Sequence, residues 1–453
     1  MKRLTFIFFL FASVIVEWGC RAEVDGKLLD HWPQWRGPLG TGVSPNGKPP
    51  IAWSEEKNLK WKIPLAGSGY ATPVVWGDLL FILTGVNVES SASERKESGE
   101  PAPGGGRGEP VPESPIEYKV IALNRHDGAL VWEKVATQEI PHEGIHRSGS
   151  GASGSPGTDG EHLIAFFGSR GVYCYDLSGN LVWKKDLGDM TIKRGFGEGT
   201  SPALHGDTLV INWDHEGDSF LVALNKSNGE ELWRTPREER TSWSTPAIVE
   251  VQGRPQVIVN ATHRARGYDL KTGEVIWEVG GMTDNVIPTP VVSNHTAFLT
   301  SGFRGNMLLA VDLATARGDI SDSEAVLWKI EQDTPYVPSP LLYDDFLYYY
   351  KRNDDLLTCV DSRTGEVRFG PERLDGFRDV YASPVGAGGK IYLTGRNGVF
   401  QVIEKGPEFK VLATNRLEDE FSASPAIVGN DLYLRGHHHL YCVSETPTGT
   451  DAH

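Results

Sequence analysis

Apolar and polar positions alternate along residues 200–233, TSPALHGDTLVINWDHEGDSFLVALNKSNGEELW, in four short runs. The runs follow Ser201-Pro202, span 208–211, span 219–224 and end at Trp233. Between them lie His205-Gly206-Asp207, the charged stretch 214–218 and Ser227-Asn228-Gly229. Strand-length apolar runs separated by turn formers predict one four-stranded antiparallel unit. Such a unit cannot bury both of its faces alone, so a chain built from it must stack copies.

The Ser/Thr-Pro step that opens the unit recurs at Thr72-Pro73, Ser155-Pro156, Ser201-Pro202, Thr245-Pro246, Thr289-Pro290, Ser339-Pro340, Ser383-Pro384 and Ser424-Pro425. Proline suits a first-strand position that needs no ladder donor. From Pro156 onward the spacings are 46, 44, 44, 50, 44 and 41 residues. The far end repeats too, as Trp132, Trp183, Trp233, Trp277 and Trp328, with Phe369 as a weaker copy. A period near 44 with four strands per unit predicts an all-β fold, an eight-bladed β-propeller. Residues 58–63 read as a fourth strand lacking its first three, whereas the unit opening at Ser424 has only three. The N-terminal strand is therefore expected to complete the last blade, leaving no open edge.

The flanks divide the rest. Lys2 and Arg3 precede an apolar run over 4–16 that Glu17 ends, the form of a secretory signal peptide over 1–22 cleaved after Ala22. The protein is thus expected to be exported, to the periplasm or outside the cell. Glu17-Trp18-Gly19 is a poor lipobox for anchoring through Cys20. Residues 23–57, with HWPQWRGPLGTG at 31–42, predict an ordered N-terminal arm lying on a propeller of 58–444, and 445–453 form a tail. An insert over 86–117, rich in Gly, Pro, Ser and charge, predicts a disordered loop.

Composition narrows the partners. A formal charge of −16 argues against nucleic acid or an anionic membrane surface. Cys174, Cys359 and Cys442 fall in third strands where other copies place Ala122, Ala223 and Ala310, which predicts small buried slots rather than disulfides or a metal site. No transmembrane segment is expected after signal removal, and the chain is expected to be a monomer.

Candidate chemistry gathers at one end of the blades, where second-strand turns and blade-to-blade connections meet. Those turns carry Arg170, Arg264 and Arg266, Arg304, Arg352, Arg396 and Arg435, whereas blade three carries Asp214, His215, Glu216 and Asp218. An arginine recurring at one turn of six blades predicts a cationic arc suited to carboxylate, phosphate or sulfate. Pairing of each arginine with acids in its own turn is the alternative. His142, His146, His215, His263 and His437 to His439 share that face, and a metal site assembled from several blades stays open. The HEGIH run at 142–146 matches a zinc-protease motif only formally. Pro141, Gly144 and the SGSGASGSP that follows predict loop where that motif needs helix.

The Ser/Thr-Pro openings, the ALN and AVD runs at 122–124, 223–225 and 310–312, and the endings LNRHDGALVW, LNKSNGEELW and YDLKTGEVIW resemble the repeats of the pyrroloquinoline quinone (PQQ)-like eight-bladed propellers. That resemblance implies one of two activities. One branch holds PQQ and calcium and oxidises alcohols; the other, typified by BamB, is a protein-binding scaffold. Adjacent cysteines that typify the dehydrogenases are absent from the sequence. The leading expectation is an exported binding scaffold that engages an exported protein or an anionic small ligand through one face. A PQQ- or metal-dependent periplasmic oxidoreductase using the same face is the alternative.

Overall fold

In a computed structural model describing residues 26–88, 111–146 and 148–445, eight antiparallel sheets form a ring. The signal segment, Cys20, the centre of the insert and the tail beyond Glu445 lie outside the described residues. Blade one comprises Val74–Trp76, Leu79–Asn87, Ile116–Asn124 and Leu130–Glu139, and blade three Ala203–His205, Thr208–Trp213, Phe220–Asn225 and Glu231–Pro236. Second and third strands are buried almost throughout, so the core lies between neighbouring sheets and not within any one of them.

The last blade closes as expected. Leu59–Pro64 pairs with His439–Val443, outside Asp431–Arg435 and Ala426–Val428, so both ends of the ring share one sheet. One expectation changes. Val86 and Asn87 pair with Glu117 and Ile116, so blade one's strands extend into both ends of the insert predicted over 86–117. The 50-residue spacing also has a cause. The long connection before Val326–Ile330 of blade five returns outward, and its Gly318–Asp319 pairs with Trp277 and Glu278 at the outer edge of blade four.

A repeated latch joins the blades. On seven of the eight third strands a small residue pairs with the fourth-strand aromatic: Ala122 with Trp132, Cys174 with Trp183, Ala223 with Trp233, Gly267 with Trp277, Ala310 with Trp328, Cys359 with Phe369 and Cys442 with Trp61. The small partner leaves room for the ring, and a register shift follows in every case. The indole N–H then reaches the next blade. Trp132 donates to Leu177 O, Trp183 to Lys226 O, Trp233 to Leu270 O, Trp328 to Ser362 O and Trp61 to Arg125 O. Trp277, covered by the added edge strand, instead donates to Gln256 of its own blade.

The N-terminal arm runs across the inner strands. Trp32 pairs with Val75 of blade one, and Thr158 N–H of blade two donates to Pro33 O. Val43–Ser44 then pairs in parallel with Gly386 and Ala387 as a fifth strand of blade seven. Between these anchors Arg36 is buried, its guanidinium donating to Pro340 O at 2.8 Å and Pro384 O at 2.9 Å. Those carbonyls belong to the Ser/Thr-Pro steps of blades six and seven. Burial without a carboxylate partner pushes Arg36 down to about 9.

Candidate functional site

The Ser/Thr-Pro steps ring the axis. At six of the eight steps the backbone N–H donates to the hydroxyl of the next: Thr72 to Ser155, Ser155 to Ser201, Ser201 to Thr245, Thr289 to Ser339, Ser339 to Ser383 and Ser383 to Ser424, all at 2.8–3.1 Å, and between the last and first steps Thr72 Oγ1 donates to Ser424 O. Thr289 Oγ1 accepts instead from the indole of Trp35, at 2.8 Å. The arm thus supplies one member of the ring's hydrogen bonding. It also places an aromatic ring on the axis.

Above this ring opens a funnel of about 430 Å³, built from blade-to-blade connections and second-strand turns. Its floor is Trp35 with the Ser/Thr hydroxyls. One wall is His146, Phe196 and Trp243, with centroid distances of 5.3 and 6.2 Å between successive rings. Opposite stand Phe303 and Tyr336, stacked at 4.9 Å, followed by Tyr381 and Tyr70. Beneath Trp35 the other end of the axis opens into a separate cavity of about 610 Å³ between the arm and the inner strands of blades three to five.

The arginines divide by their partners. Arg170 binds Glu139 at 2.5 Å, Asp189 at 2.6 Å and His142 at 3.0 Å. Arg264 binds Glu278 and Asp319, and Arg266, a third-strand residue rather than a turn residue, binds Glu239 and Glu278. Arg304 is 62% exposed and lies 3.8 Å from Asp284, above Phe303. Arg352 is exposed on its turn. Arg396 and Arg435 form a different class. Arg396 lies 4.6 Å over the Tyr381 ring, and its Nε has no hydrogen-bond partner among the described residues. Arg435 is 2% exposed, with Nε and Nη1 both without partners among the described residues. Desolvation pushes it down to about 9, with Tyr70 opposing. His437 stacks on Tyr70 at 4.6 Å and meets Ser422 Oγ at 3.0 Å and Glu420 at 3.5 Å. The structure therefore brings Arg396, Arg435 and His437 together behind Tyr70 and Tyr381. Arg170, Arg264, Arg266 and Arg304 lie among acids.

Blade three's candidates serve its joints with the neighbouring connections on both sides. Asp214 and Arg237 form a fully buried pair at 2.7 and 3.0 Å, extended by Ser242 and Tyr268. Glu216 accepts from Thr241, and His215 Nδ1 accepts from Thr191 N–H. His263 is exposed and donates its backbone N–H to Glu239. The HEGIH segment is loop, with His142 on Met190 O and His146 on Ser148 Oγ. No group of three or more metal-ligating side chains occurs among the described residues.

One carboxyl on the funnel wall was not singled out from the sequence. Glu198, between Gly197 and Gly199, accepts from Ser169 N–H at 2.7 Å and from Ser169 Oγ. Desolvation pushes it up to about 7 against the two Ser169 bonds, with His142 lowering and Glu143 raising it slightly. Burial also raises Glu143, which accepts from Ile192 N–H. Trp35 and the facing aromatics were missed as well. Trp35 is marked by its place within WPQWRGP, and Tyr70, Phe196, Trp243, Tyr336 and Tyr381 by lying two to five residues before a Ser/Thr-Pro step; Phe303, in a second-strand turn, has no such mark.

Residues 117–370 match the family described as outer membrane protein assembly factor BamB. Among curated proteins none matches. BamB from Moraxella catarrhalis is similar in structure, with 14% identity, TM-score 0.57, and coverage of 85% of this chain and 99% of that one. A europium-containing methanol dehydrogenase reaches TM-score 0.62 at 11% identity, covering 92% and 99%. The quinohemoprotein alcohol dehydrogenase from Comamonas testosteroni reaches 0.60 at 10%, covering 95% and 84%. At these identities the neighbours share the fold alone, but the family match spans more than half of the sequence. The chain belongs to the BamB family of PQQ-like eight-bladed propellers.

Proposed function

We propose that this protein is an exported binding scaffold whose axial funnel holds an anionic ligand. The observation that carries this reading is the pair Arg396 and Arg435. In an acidic protein, two guanidinium groups packed behind Tyr381 and Tyr70 of the cavity wall have donors without partners among the described residues. A buried, unsatisfied charged donor is costly, and an incoming carboxylate or phosphate offsets that cost. Family membership supports a scaffold, since the matching description is of an assembly factor. Export rests on the apolar segment over 4–16, which lies outside the described residues. No helix among the described residues is long and apolar enough to cross a membrane.

The oxidoreductase alternative fares less well on donor chemistry. Calcium takes six to eight oxygen ligands, usually several of them carboxylates. The funnel wall offers one carboxylate, Glu198, and one side-chain amide oxygen, that of Asn353, which accepts from Val337 N–H. That set does not fit PQQ with calcium. The test is calorimetric titration of the chain with benzoate, as a minimal aromatic anion, and with PQQ with and without calcium. Saturable benzoate binding that weakens by about 10- to 100-fold in Arg396→Ala is expected, the loss of a charge-assisted bond of about 1.5–3 kcal/mol. Absence of binding, or binding indifferent to Arg396, overturns the reading. Calcium-dependent PQQ binding with a quinone absorption band would favour the oxidoreductase.

A further inference from the structure

The funnel has two chemically opposite poles. On the side of blades seven and eight, Arg396 and Arg435 stand behind Tyr381 and Tyr70 with no carboxylate within ion-pair distance among the described residues. On the side of blade two, Glu198 forms part of the wall, and no described basic side chain pairs with it. Ser169 supplies both of its hydrogen bonds, one to each carboxyl oxygen. An ionised carboxyl has about four acceptor sites, so its remaining lone pairs stay available to a donor arriving through the funnel. Gly197 and Gly199, also in the wall, put no side chain between that carboxyl and the cavity. The remaining charged groups around Glu198 are the Glu143 carboxyl and the His142 imidazole, the latter held by Met190 O and Arg170.

A ligand that is anionic all round would satisfy one pole and be repelled at the other. Between the poles, the His146, Phe196 and Trp243 wall, whose rings meet edge to face, and the stacked Phe303 and Tyr336 wall enclose the space above the Trp35 floor. Aromatic faces bury a flat, ring-bearing body, and the polar ends then fix its direction. We infer that the funnel takes a bipolar ligand. It carries an anionic group toward Arg396 and Arg435, a ring between the aromatic walls, and an ammonium or hydroxyl donor toward Glu198. This inference rests on the funnel being the ligand site.

The probes are 4-(aminomethyl)benzoate, benzoate and benzylamine, titrated calorimetrically into the full chain at low salt and pH 8, where Glu198 is ionised and the amine still protonated. The bipolar probe is expected to bind at least about tenfold tighter than either monopolar one, the magnitude of one added charge-assisted bond. Glu198→Gln, which keeps the size of the side chain, should bring the bipolar probe to the level of benzoate. Arg396→Met, which keeps an apolar stem over Tyr381, should bring it to the level of benzylamine. Equal binding of benzoate and 4-(aminomethyl)benzoate to the unaltered chain, or a bipolar advantage that survives Glu198→Gln, overturns the inference and leaves the anionic site standing. Failure of all three probes to bind overturns the underlying reading of the funnel itself.

Discussion

Glu198 shows how one side chain acquires a role that its type alone does not announce. Its carboxyl is buried beside the funnel and held protonated to about pH 7, far above the usual carboxylate range. The folded state therefore binds this proton more tightly than the unfolded chain does. The associated stability is fully present below the ordinary carboxylate pKa and is lost as pH rises toward 7. The loss amounts to about 3 kcal/mol, from about 1.4 kcal/mol per pKa unit. Denaturant unfolding from pH 4.5 to 8 should show Glu198→Gln gaining on the unaltered chain by that order as pH rises, on top of a constant offset from altered bonding to Ser169. A pH-independent difference would remove the claim that Glu198 titrates in this range. The arginines teach the complementary lesson. Their repeat positions were legible from the sequence, but their partners were not, because Arg170 meets Glu139 at the end of blade one's fourth strand and Asp189 in the connection after blade two, and Arg266 meets Glu239 in the connection before its own blade. Arg396 and Arg435 differ from the rest by what their neighbours lack.

At the scale of the blade, a single latch recurs, and its parts were legible because they are local in sequence. The Trp endings, the Ala or Cys slots and the Gly turns all fall at fixed offsets within the repeat. The geometry adds the reason for the glycine. Gly229 has φ +74°, and a Cβ there would lie 2.7 Å from the Trp183 ring that it covers; Gly179 over Trp132 and Gly365 over Trp328 repeat the arrangement at 2.8 Å. Left-handed φ is cheap only for glycine, and the ring leaves no space for a side chain. Gly229→Ala should therefore destabilise the fold by about 1–3 kcal/mol, the cost of a strained backbone position with a displaced neighbour. Chemical denaturation measures it. An unchanged midpoint would show that the turn relaxes without cost and that Trp183 is not clamped as described. Blade six uses Phe369 and so makes no indole bond, and blade seven sets Ala413 opposite Val402. The fading of the Trp signal in those repeats is thus a real change in the latch.

For the whole molecule, the ring and its closure were legible because eight openings and one orphan strand leave few ways to pair the ends. The funnel was not. It draws one to a few residues from each of eight connections spread over some 350 positions, and its floor comes from an arm outside the repeats. Nothing in a linear period marks Trp35 as a plug on the axis, although WPQWRGP marks the arm as ordered. The account's central claim is that binding happens in this funnel. Hydrogen–deuterium exchange of the whole chain, with and without saturating 4-(aminomethyl)benzoate, tests it most directly. Protection confined to connections that line the funnel, around Phe196 to Gly199, Trp243, Tyr336 and Tyr381, is the predicted result. Protection on the outer fourth strands, or no change in those connections despite measured binding, would contradict it.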